Sequence, residues 1–312
     1  MKDFKDFKIG LVLSGGGAKG AYEAGVFKAI WDLDLFDNIR VISGTSIGSV
    51  NALLFAMKDK EVITNSWNSI SYSRFMSIES KEGSKINKII ETIKSINVQE
   101  RLVDQFRKID KGVFSQIGVR EFLDEYVNIN YINERDVDIY SCAYNIDKGE
   151  PEYFKLNDYE EEDIINIVLA SCAIPFVFKP VYINGMRYAD GGINSPEYSK
   201  NNVDNVPIKP LLNYDCDLII VIHLSYKNNK CDKEAFDKNK IIEIYPSNSL
   251  EYISGIGSLM IVPKMLVEDM ELGYRDFITS VSPIIINVLK GKKFDEHIKR
   301  NNEKNKSILK SQ

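Results

Sequence analysis

The chain is poor in histidine and cysteine and has no long apolar run. Its four cysteines, Cys142, Cys172, Cys216 and Cys231, are spread through 312 residues without a CxxC pair. That spacing argues against a disulfide framework or a thiolate metal site and in favour of reduced, buried thiols. No uncharged apolar stretch reaches the roughly 18 residues a membrane span requires; the run around Val281 to Leu289 is about half that. The run Ile9 to Leu13 is too short for the core of a signal peptide. The chain is therefore expected to lack a signal peptide and a transmembrane segment, and to be cytoplasmic or peripheral to a membrane. A basic excess is also missing: the formal net charge is -5, which argues against a dedicated nucleic-acid binder. With only two histidines, His223 and His297, any Ser-His-Asp triad must use one of them. No loop collects the several oxygen ligands of a calcium site, so no metal is expected.

What is present has an ordinary globular balance, 44% hydrophobic and 27% charged residues. The first sixty residues alternate strand and helix. Lys8 to Leu13 reads as a buried strand, Ala18 to Leu33 as a helix, Arg40 to Ser43 as a second strand and Gly48 to Lys58 as a second helix. That order implies a parallel sheet, because parallel neighbours need a crossover helix. Residues 58–134 carry helical periodicity, around Ile86 to Ile96 and Val119 to Val127, and are expected to include a helical, cap-like segment. Strands resume at Val137 to Tyr144 and Glu152 to Phe154, and a helix follows over Glu161 to Cys172. Asn184-Gly185 between Pro180 to Ile183 and Met186 to Ala189 is a hairpin signal, since both turn positions tolerate positive φ. Further strands are expected at Asp217 to Leu224 and Ile241 to Tyr245, and a helical region over Ser249 to Phe277. The whole reads as one α/β domain over 1–298 with a solvated polar tail at 299–312.

Three motifs carry chemistry. In LVLSGGGAKGAYEAG, Gly15, Gly17 and Gly20 fit the dinucleotide spacing G-x-G-x-x-G between a strand and a helix. The second strand should then end on an acidic residue for the ribose hydroxyls, yet it runs into Gly44-Thr45-Ser46-Ile47-Gly48. This pentapeptide is the G-x-S-x-G elbow: Ser46 at a sharp strand-to-helix turn, Gly44 and Gly48 sparing the collisions that side chains would cause. A structural turn is the plainer alternative. Asp190, followed by Gly191 and Gly192, is a candidate base if burial raises its pKa and it bonds Ser46 directly; an ordinary Asp-Gly-Gly turn is the other reading. His223 lies inside the apolar run LIIVIHL and reads as a core histidine, and His297 as a solvated one. The amides of Gly15, Gly16 and Gly17, at a helix start, suit a developing oxyanion. Lys19 either adds positive charge at the rim or is an ordinary solvated lysine.

Together, SGGGAKGAYEAG at Ser14 to Gly25, GTSIG at Gly44 to Gly48 and ASCAIPFVFKPVYINGMRYADGG at Ala170 to Gly192 resemble the patatin-like phospholipase family, in its bacterial, single-domain form. The resemblance implies a three-layer α/β/α sandwich with a mainly parallel central sheet. It also implies a Ser-Asp dyad without histidine, acting on the acyl esters of phospholipids or other lipids at a membrane surface, with no cofactor. Carried over, Ser46 is the nucleophile, Asp190 the base, Gly15 to Gly17 the oxyanion hole, Lys19 the basic position of the glycine motif, and Pro175 belongs to the A-x-P turn. One departure stands out: Asn205-Val206-Pro207 comes late, after the inserted-looking PEYSKNNVD, a loop expected to border the acyl-chain entrance. Two other functions fit parts of the pattern, a Rossmann-type dinucleotide-binding enzyme and a non-catalytic membrane-surface protein.

Overall fold

The computed structural model describes residues 4–71, 115–134, 136–175, 177–192, 203–226, 230–250 and 262–311. An eight-stranded sheet forms its centre. In chain order its strands are β1 (Ile9–Leu13), β2 (Ile39–Thr45), β3 (Asp138–Asn145), β4 (Glu150–Lys155), β5 (Val181–Ile183), β6 (Met186–Asp190), β7 (Leu218–Ile222) and β8 (Ile241–Ile244). Strands β3-β2-β1-β7-β8 run parallel, while β4 and the β5-β6 hairpin add antiparallel pairs around β3. The central strands are apolar on both faces, as a sheet covered on both sides requires. In β1, Ile9, Leu11 and Leu13 enter the larger core, whereas Val12 joins a smaller one on the opposite face, following the two-residue period of a strand. The hairpin turns where Asn-Gly predicts, with φ of 51° at Asn184 and 78° at Gly185.

The chain has the α/β architecture expected, with unequal outer layers. The larger core lies beneath α1 (Ala21–Asp32), α2 (Ile47–Ala56), α3 (Lys60–Ser69), α4 (Ile117–Tyr126), α5 (Glu161–Ser171) and α6 (Pro263–Leu289). Among the described residues, the smaller core is closed by Val206, Ile208 and Leu211, around a 3-10 turn at Lys209–Asn213. Residues Ile63, Trp67, Phe122 and Leu123, from both ends of the 58–134 block, belong to the main core. The Ile86 to Ile96 periodicity lies outside the described residues.

Two expectations change. The helix expected over Ser249 to Phe277 is described from Pro263 to Leu289, because Val281, Ile284 and Ile285 continue its buried stripe past Phe277. Residues 251–261 lie outside the described set. The segment 299–312, expected as a solvated tail, is helical through Ser311 as part of α7 (Asp295–Ser311). Strand β8 is an edge with unpaired polar backbone, and the asparagines of α7 satisfy it. Asn302 Nδ2 donates to Ile241 O at 2.7 Å, its Oδ1 accepts from Glu243 N at 3.0 Å, and Asn305 Nδ2 donates to Glu243 O at 2.7 Å.

Helices α1 and α6 touch backbone to backbone. A Cβ built on Gly25 would lie 1.8 Å from Met270 O, and one on Gly273 would lie 1.9 Å from Tyr22 O. Ala ordinarily favours a helix over Gly by about 1 kcal/mol. Here the collision reverses the sign, so Gly273→Ala is expected to destabilise the protein by about 3 kcal/mol, read as a lowered urea midpoint at unchanged slope.

Candidate active site

Strand pairing brings two distant residues together. Thr45, the last residue of β2, lies opposite Cys142 of β3, and the next β3 residue, Ala143, pairs with Asp190 at the end of β6. Because β4 holds the other edge of β3 from Tyr140 to Asn145, β2 and β6 meet end to end along a single edge. Ser46 leaves β2 at that junction and Asp190 closes β6 at the same place. The Ser46 side chain lies beside the Asp190 carboxylate and lowers its pKa, and each residue is 6% exposed.

Ser46 has φ 55° and ψ -124°, a left-handed conformation that L residues adopt only under constraint, immediately before α2. A Cβ on Gly44 would sit 2.2 Å from Gly48 O, and one on Gly48 would sit 2.5 Å from Leu13 O, so strand and helix can close on each other only through glycines. Buried serines hold the turn from beneath. Ser46 N donates to Ser171 Oγ at 2.8 Å, Ser171 Oγ donates to Cys142 O at 2.6 Å, and Ser49 Oγ donates to Gly44 O at 2.9 Å. Ser141 Oγ joins them by donating to Ser49 Oγ at 2.9 Å. Sequence reasoning missed this network; its only trace is the run of small residues in ASCAIP.

Asp190 is fixed at backbone and side chain: its N–H donates to Ala173 O at 3.0 Å, in the A-x-P turn, and Gly192 N donates to Oδ1 at 2.7 Å. Burial raises its pKa to about 6, while the neighbouring Ser46 side chain and the hydrogen bond from Gly192 pull it part of the way back. Cys172 lies behind the pair, and burial keeps its thiol protonated. All four cysteines are free.

The glycine loop packs on Ser46, since a Cβ on Gly15 would come within 3.2 Å of Ser46 Cβ. Gly17 turns the chain at φ 59°, where a side chain would be strained. The expected set of amide donors needs a correction. Gly15 N already donates to Asn205 O at 3.2 Å, so its N–H is occupied; the Gly16 and Gly17 amides have no acceptor among the described residues. Lys19 also departs from expectation, being 6% exposed and so neither at the rim nor solvated. Asn205, which seemed displaced along the chain, reaches the site: its Nδ2 donates to Gly15 O at 3.2 Å. The rest of the insertion, residues 196–202, lies outside the described residues, and the entrance expected there with it.

The histidines are placed elsewhere. His223 follows β7, two strands from β2 by way of β1, which amounts to about 10 Å at the ordinary strand spacing. It is fully buried, its Nε2 lies 3.1 Å from Glu243 Oε1, and its ring stacks on Tyr245. Burial lowers its pKa, against the pull of Glu243. His297, expected as solvated, links α7 to α6 through Ser280 O at 2.9 Å. Among the described residues no three His, Cys, Asp or Glu side chains converge to hold a metal ion, and no helix is long and apolar enough to cross a membrane.

The chain is similar to known proteins in sequence and in fold. The chain is 25% identical over 215 residues to the lysophospholipase nte1 of Aspergillus terreus, a match covering 69% of this chain and 12% of that protein. It is 24% identical over 233 residues to the lysophospholipase NTE1 of Saccharomyces cerevisiae, covering 73% of this chain and 11% of that one. The chain thus spans only a small part of the length of these curated relatives. Among solved structures, VipD from Legionella pneumophila shares the fold, with TM-score 0.52 and 16% identity over 88% of this chain and 66% of that one. The family model for patatin-like phospholipases matches residues 11–212, a span that contains the glycine loop, Ser46, Asp190 and Asn205. The chain belongs to the patatin-like phospholipase family.

Proposed function

We propose that the protein is a serine acyl hydrolase of lipid esters, of phospholipase A type, working through a Ser46-Asp190 dyad. The observation that carries this reading is the end-to-end meeting of β2 and β6, which seats a strained, buried serine against a buried carboxylate. Asp190 Oδ accepts the Ser46 proton as Oγ bonds to the ester carbonyl carbon. The carbonyl oxygen becomes an oxyanion facing the Gly16 and Gly17 amides at the start of the turn leading into α1. Collapse expels the alcohol, which takes the proton from Asp190 and leaves an acyl-Ser46 ester. A water, deprotonated by Asp190, attacks that ester, and the proton passes from Asp190 to Ser46 Oγ as the fatty acid leaves. A lipid substrate also brings the protein to a membrane or micelle surface.

A carboxylate with its ordinary pKa is a poor base for a hydroxyl, and burial moves Asp190 toward the task. The base works only when ionised. The rate is therefore expected to rise with pH through about 6 and to be flat above it. A kcat profile from pH 4.5 to 8.5 checks this, and a half-maximal rate near 4 would contradict it.

The reading is tested by fatty-acid release from mixed phospholipid and lysophospholipid vesicles. Wild type is expected to release acid, and Ser46→Ala to lose at least about 10³-fold in rate. Equal release by both proteins would refute the assignment.

A further inference from the structure

The dipeptide Asp204-Asn205 touches β2, β3, β4, the glycine loop and the turn after Asp190. Asp204 O accepts from Thr45 Oγ1 at 2.9 Å, next to Ser46, and from Cys142 Sγ at 3.6 Å. Its Oδ2 accepts from Tyr153 OH of β4 at 2.6 Å, and its Oδ1 from Val206 N at 3.3 Å. Asn205 grips Gly15 on both sides, accepting from its N–H through the backbone carbonyl and donating to its carbonyl through Nδ2, each at 3.2 Å. The remaining amide atom, Oδ1, fills the space between two glycines. A Cβ on Gly15 would lie 2.4 Å from it, and a Cβ on Gly192 only 2.1 Å.

We propose that Asn205 is a positioning residue: a wedge that sets the glycine loop at a fixed distance from the Asp190 turn, anchored to β2 and β4 through Asp204. Gly15 and Gly192 are then glycines in order to admit its amide. This rests on the reading of Ser46, Asp190 and the glycine-loop amides given above. Those groups come from three separate strand ends, and attack requires all of them to be in register with Ser46. A misplacement of about 1 Å costs about 100-fold in rate, so a device that spans the loop and the turn acts on kcat while touching no substrate.

The test combines Asn205→Ala, Gly192→Ala and the double variant Gly192→Ala/Asn205→Gly. Asn205→Ala is expected to lower kcat and the rate of fluorophosphonate labelling of Ser46 by about 100-fold, with KM within about twofold. Amide exchange is expected to quicken in peptides covering both 14–18 and 190–192. Gly192→Ala alone is expected to lose activity and melting temperature. The double variant is expected to regain at least about tenfold in kcat and part of the melting temperature, because the new methyl occupies the space the amide has left. Wild-type kcat and exchange in Asn205→Ala, or a double variant no better than the two single losses combined, would overturn the proposal. If wild type takes no label, the hydrolase reading fails, and exchange together with the melting temperatures of the double variant still decides the wedge.

Discussion

Asp190→Asn is expected to lower kcat by about 10³-fold while leaving KM and the melting curve close to wild type. The substituted amide keeps the shape of the carboxylate and one acceptor oxygen, enough to receive the Gly192 N–H now bonded to Oδ1 at 2.7 Å. What changes is the side facing Ser46. An amide nitrogen there is a donor only, and it cannot take the Ser46 proton when the ester is attacked. The pH dependence should change with it: the rise through about 6 belongs to Asp190 and should disappear from the residual activity. Steady-state kinetics on a soluble ester, with near-ultraviolet dichroism as the control for fold, reads all of this. An Asp190→Asn enzyme within a few fold of wild type would remove Asp190 from the chemistry.

The second large effect concerns stability. Glu23, in the first turn of α1 behind the glycine loop, is completely buried. Its Oε2 accepts from Asn51 Nδ2 at 2.7 Å, and the same nitrogen donates to Gly20 O at 3.0 Å, while Trp67 Nε1 donates to Asn51 Oδ1 at 3.0 Å. Burial raises the Glu23 pKa to about 8 from 4.5, so the folded protein holds a proton at neutral pH that the unfolded chain releases. A raised carboxyl pKa means that stability falls as pH climbs from the unfolded value to the folded one. Glu23→Gln keeps the acceptor for Asn51 and has no proton to lose. The variant is expected to match wild type near pH 4.5 and to be more stable at pH 7 by about 3 kcal/mol, widening further toward pH 8. Melting temperatures at pH 5 and pH 8 measure it, and a gap that stays constant with pH would show that Glu23 is ionised in the fold.

Parts of the site were legible because close backbone contact restricts residue type. Gly44 and Gly48 are spaced by the collision each would cause, and that constraint is local enough to be read along the chain. The Asn184-Gly185 turn is local in the same way. What escaped was long-range. Gly15 looked like an oxyanion donor because the acceptor of its N–H, Asn205, is 190 residues away. Lys19 looked placed at the rim or in solvent because nothing in its neighbours announces burial. The asparagines of α7 looked like tail residues because their amides suit water and the open edge of β8 equally well. The meeting of Ser46 with Asp190 follows from strand register, and register depends on which edge of β3 each strand takes.

His223 bears most directly on the central claim that Asp190, and no histidine, activates Ser46. The measurement is fluorophosphonate labelling at pH 7.5, with the modified residue located by mass spectrometry, in wild type, Asp190→Asn and His223→Gln, each first checked for a cooperative melt. Label confined to Ser46, retained within a few fold in His223→Gln and slowed at least about 100-fold in Asp190→Asn, is the predicted result. Label abolished by a folded His223→Gln, or found on another residue in wild type, would contradict the dyad.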